Sequence, residues 1–150
     1  MAVIEGNPTH IPDCEFRPKI QRCLDLLRDK AGQYSTWFNG YNLKLRAARA
    51  SGANFADGAI DIARATFDAS DTWVASVIIH ECTHFWQYRS GKYQAGQAAE
   101  SEANRYQLGV LQLVGAPPSE ITYMQSQDGK HADLDGDGKY TRDDYNKRNY

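Results

Sequence analysis

Apolar positions recur along the chain with helical spacing in three places and with strand-like alternation in one. In "PKIQRCLDLLRDK", Pro18 to Lys30, the residues Ile20, Cys23, Leu24 and Leu27 share one helical face. A packing helix is predicted there, opened by Pro18 and closed by Gly32. Between Tyr34 and Phe67, turn signals at Asn39-Gly40 and Asp57-Gly58 and the strand-like "AIDIARATF" predict a small, mostly antiparallel sheet. Ser70 or Asp71 is suited to cap a helix through Trp73 to about Tyr88, ending before Gly91. A second long helix is expected from about Gly96 to Val114, stopped by Gly115 and Pro117-Pro118, then a short polar helix or turn near Ser119 to Gln127. From Asp128 the chain turns acidic, glycine-containing and poor in aliphatic residues. The pattern therefore predicts an α+β domain over 1–127 and an appended loop and terminal helix over 128–150.

Composition narrows the classes. A chain of 150 residues with 41% hydrophobic content builds one sizeable core. A net charge of -2 without a Lys/Arg cluster removes the electrostatic reason to expect nucleic acid or an anionic membrane as partner. No apolar run approaches the length of a membrane span, so membrane insertion is not expected. The opening "MAVIEGNPTHIPD" lacks the basic start and apolar run of a secretory signal. Export is then expected as part of a larger protein or by a dedicated secretion system, the alternative being the cytoplasm. Of the three cysteines, Cys82 reads as a small buried thiol, while Cys14 and Cys23 either pair or stay reduced.

The chemistry concentrates in "VIIHECTHFWQ". His80 and His84, four residues apart on a helix, project from one face and can offer two imidazole nitrogens to one metal ion. Glu81 lies about 100° round the helix, placed to touch a metal-bound water without binding the metal. Three such groups in an apolar helix are costly unless a metal and supporting hydrogen bonds satisfy them. A catalytic zinc takes three protein ligands and keeps one position for water. Glu100 and Glu102 open the next helix and are both in reach, whereas His10 and His131 lie on no predicted rigid element.

Taken together, "VIIHECTHFWQ" and "ESEANRYQLGVLQLVGAP" resemble the gluzincin branch of the zincin metallopeptidases, including compact forms among bacterial toxin and effector domains. The resemblance covers about residues 57–118. It implies a compact zincin-like fold, zinc held by His80, His84 and Glu102, and Glu81 as general base. Glu102 is preferred because Ala103 and Asn104 follow it as a small and a polar residue follow the ligand in that branch; Glu100 is the alternative. It further implies a monomeric endopeptidase acting on a protein or peptide, with a cognate inhibitor protein as a further partner. The chain lacks a second HxxxH and the C-terminal helical domain of larger relatives, so the oxyanion donor falls to Tyr123, Tyr106 or His131. "AIDIAR" is expected to be the sheet edge that pairs with substrate.

In the extension, "DLDGDGKYTRDD" sets Asp133, Asp135, Asp137, Gly138, Thr141 and Asp144 at positions 1, 3, 5, 6, 9 and 12 of a calcium loop, with the Lys139 carbonyl at position 7. It is similar to the loops of EF-hands and, with Asp at position 12, to those of dockerin repeats. One loop without a preceding helix suits a structural calcium rather than a sensor. The competing reading of the whole chain is a calcium-dependent binding module on a non-catalytic zincin scaffold, for which Glu81 would have no evident use.

Overall fold

The computed structural model describes residues 2–92 and 95–128, so His131 and the expected calcium loop lie outside the described residues. The described chain is α+β, with strands β1 (Val3–Glu5), β2 (Lys44–Ala47), β3 (Gly52–Asn54) and β4 (Ala59–Ile62). The helices are α1 (Asp13–Lys30), α2 (Gly32–Asn39), α3 (Arg64–Phe67), α4 (Asp71–Arg89), α5 (Gln97–Leu113) and α6 (Pro118–Gln125).

The strands form one sheet in the order β1-β2-β4-β3. It is mixed, not mostly antiparallel: β1 pairs with β2 and β2 with β4 in parallel, and only β3 and β4 are antiparallel. The intervening elements explain this. Helices α1 and α2 separate β1 from β2, and a crossover of that length returns the chain parallel, whereas the short Asp57-Gly58 turn makes β3 and β4 a hairpin. Gly58 takes the left-handed φ of 61° that such a turn needs. The "AIDIAR" strand is consequently interior, flanked by β2 and β3, and the edge on that side is β3.

Register sorts the faces. Leu45 stands beside Ile60 and Ala47 beside Ile62 on the buried face, while Arg46 stands beside Asp61 on the other, where its Nε donates to the carboxylate at 2.8 Å. Packed with the buried face are Phe16, Ile20 and Leu27 of α1 and Val74, Ile78 and Ile79 of α4, in one continuous core. Helix α1 begins at Asp13, so Pro18 lies inside it rather than at its first turn. The α4 boundaries match the pattern: Ser70 caps the helix by accepting from Trp73 N–H, and Gly91 follows with φ of 72°. Every residue of α4 from Val74 to Phe85 is buried, the polar Ser76, His80, Glu81, Thr83 and His84 included.

The remaining surface of α4 belongs to α5, its most extensive partner. Glu120 of α6 ties the assembly to the start of α4 by accepting from Ser70 and Thr72 hydroxyls, each at 2.7 Å. No helix among the described residues is long and apolar enough to cross a membrane. Cys14, Cys23 and Cys82 are all free thiols. Burial pushes the Cys23 and Cys82 thiols up to about 12, which keeps both protonated and inert near neutral pH.

Because Ile60 is fully buried at the centre of the sheet, Ile60→Ala is expected to lower unfolding stability by about 2–5 kcal/mol, read from a urea transition.

Candidate metal centre

The α4/α5 interface is polar along a stripe. Ser76, His80 and His84 recur every four residues on α4, and Glu100, Asn104 and Gln107 recur at helical spacing on α5. All are at least nine-tenths buried. Gln107 Nε2 closes one end by donating to Ser76 Oγ at 3.0 Å.

In the middle of the stripe, His80, His84 and Glu100 converge. His80 Nε2 lies 3.1 Å from Glu100 Oε2, and His84 Nε2 lies 3.2 Å from Glu100 Oε1. The two Nε2 atoms are 3.2 Å apart. This buried set of two imidazoles and a carboxylate can hold a metal ion.

The third member is Glu100, not Glu102. Two residues along an α-helix turn the side chain by about 200°, so only one of the two acids can face α4 at this level. Glu102 instead supports the site from behind. Its Oε1 accepts from Gln87 Nε2 at 3.2 Å, the same amide donates to the Ala99 carbonyl at 3.0 Å, and Gln87 Oε1 lies 2.8 Å from His84 Nδ1. With both Gln87 donors engaged on α5, its oxygen is left to accept from Nδ1–H, which leaves Nε2 of His84 directed at the cluster. Arg105 and Lys92 flank Glu102 at 3.5 and 4.0 Å.

Gln87 was not singled out from the sequence, although its position three residues after His84 on the same face was a usable signal. Asn104, one turn after Glu100, was likewise noted only as a residue that follows Glu102. Glu81 is fully buried, and its charge helps to raise the pKa of His84.

The expected oxyanion donors fare differently. Tyr123 on α6 is 52% exposed and packs edge-on against Trp73, about two helical turns before His80. The Tyr106 ring stacks on Trp37 and meets Tyr34 and Trp86 edge-on, in an aromatic cluster rather than with the ligands. His10 lies in the loop before α1 and is outside the His80/His84/Glu100 set.

Burial alone would push the His84 imidazolium down, but the Glu100 carboxylate, by charge and hydrogen bond, outweighs it with help from Glu81 and Gln87, raising the pKa to about 9. Near neutral pH the metal-free site therefore holds a proton between His84 and Glu100. Against the folded cluster the chain has no match: no family model, curated protein or solved structure is similar to it.

Two outcomes follow from this geometry. Metal uptake must displace the His84 proton, so the affinity for zinc, used as probe, should rise about tenfold per pH unit from pH 7 towards 9 and then level off, measured by chelator competition. The sign for the metal-free chain is opposite: a pKa raised above the unfolded value of 6.5 adds stability below pH 6.5 that is lost as pH rises through about 9. In the same competition assay Glu100→Gln should abolish tight zinc binding, whereas Glu102→Gln and Gln87→Ala should weaken it by about 10–100-fold, as loss of a ligand's supporting partner does.

Proposed function

We propose that the chain is a zinc-dependent endopeptidase, with His80, His84 and Glu100 as metal ligands and Glu81 as general base. The observation that carries this reading is a metal-type donor set with an additional buried carboxylate on the same helix turn. Four-coordinate zinc with bonds of about 2.0–2.1 Å spaces neighbouring ligand atoms by about 3.3–3.4 Å. The two Nε2 atoms, 3.2 Å apart, and their distances of 3.1 and 3.2 Å to one Glu100 oxygen each are near that size. Three protein ligands leave a fourth position for water or a substrate carbonyl.

Zinc in this position would polarise the carbonyl and lower the pKa of its water to about 7. Glu81 takes the water proton as the new C–O bond forms and delivers it to the leaving amine. Gln87 keeps His84 in the ligating tautomer, and Glu102 and the Ala99 carbonyl keep Gln87 in place. The gluzincin resemblance of the two helices and the compact toxin or effector role it implies support the same class of reaction.

One observation favours a second reading. His80, Glu81 and Glu100 are 1%, 0% and 3% exposed, a degree of closure that suits a structural metal in a non-catalytic binding domain. The Glu81→Gln variant separates the two. With zinc content equal to wild type, it should lose cleavage of a peptide library by at least about 10³-fold if Glu81 is the base. Equal cleavage by wild type and variant would remove the proposal.

A further inference from the structure

Beside the metal stripe, α5 and α6 line an open pocket of about 470 Å³. Asn104 belongs to both. It stands one turn after Glu100 on the buried stripe and also lines the pocket. Its side chain is 95% buried by its 5% exposure, and Nδ2 has no hydrogen-bond partner among the described residues. A buried amide donor left in this way is costly, and a turn of the amide that brings it to the pocket lets an accepting ligand recover the loss.

The rest of the lining defines what enters. Leu108 and Met124 supply apolar wall on α5 and α6, suited to a short methylene stem. Glu102 and Arg105 bring opposite charges 3.5 Å apart, so the pocket has no unmatched charge to attract an acid or a base. Gln125 contributes an exposed neutral amide at the rim.

We propose that this pocket is a specificity subsite for a carboxamide side chain of a peptide substrate, glutamine above all, read by the carboxamide of Asn104. The inference rests on the peptidase reading only for taking the ligand to be a peptide side chain. An amide offers one donor edge and one acceptor edge, and the ligand that satisfies both at once is another amide. A carboxylate offers only acceptors and an ammonium only donors. The broad two-fold torsion about the Asn104 side-chain amide lets it turn either edge to the pocket.

The test is a titration of the full-length, zinc-loaded protein with N-acetyl-glutamine methylamide, followed by proton–nitrogen NMR. Saturable shifts are expected at the Asn104 side-chain amide and the Leu108 backbone amide, with the glutamate and lysine analogues at least tenfold weaker. Asn104→Ala should lower the affinity for the glutamine probe at least tenfold. Gln125→Trp, at the exposed rim where folding is not at stake, should block it to the same degree. Shifts elsewhere, equal binding of the glutamate probe, or unchanged affinity in Gln125→Trp would overturn the assignment. Binding is read without cleavage, so the two readings fail separately. An inactive chain that still selects the glutamine probe keeps the pocket and loses the peptidase, and an active one without that selection keeps the peptidase and loses the pocket.

Discussion

Everything in this fold is arranged around one contact, the closure of Glu100 of α5 on the paired imidazoles of His80 and His84 of α4. Taking a carboxylate and two imidazoles out of water is unfavourable by several kcal/mol per charge unless they satisfy one another. The metal-free cluster does so with a proton held on His84, and the same side chains could hold a metal ion in that proton's place. Site and scaffold are therefore not separable: the seam that joins α4 and α5 carries the candidate ligand set itself.

The scaffold makes that closure rigid. The sheet and α1 cover the apolar faces of α4, leaving one stripe for α5. Gln87 then spans the two helices, touching His84 on one side and α5 through Ala99 and Glu102 on the other. Side chains fixed at both ends lose little freedom on binding a ligand, which is how a site is pre-organised. The Ser70 cap and the Glu120 contacts fix where α4 begins, and so fix the height of His80 relative to α5.

Local signals in the chain located what depends on local structure. The α4 limits, the Gly115 stop and the placement of His80, Glu81 and His84 on one helix were all legible, because caps, glycines and helical spacing act within a few residues. Strand direction was not, since parallel pairing depends on the path of α1 and α2 and leaves no mark in the strands themselves. The third member of the cluster was within reach of the same periodicity. Glu100, Asn104, Gln107 and Leu111 repeat on one face of α5, and Glu102 falls on another. A preference drawn from the residues following each glutamate overrode that phase and picked Glu102. Which tyrosine faces the ligands depends on long-range packing, and both named tyrosines pack elsewhere.

The central claim is the composition of the metal shell, and X-ray absorption at the zinc edge of the reconstituted full chain reads it directly. The account predicts two imidazoles, one carboxylate and one further light oxygen, all at about 2.0–2.1 Å. A sulfur shell at about 2.3 Å would place Cys82 or another thiol on the metal, and a third imidazole would put His10 or His131 where Glu100 is expected; either would contradict it.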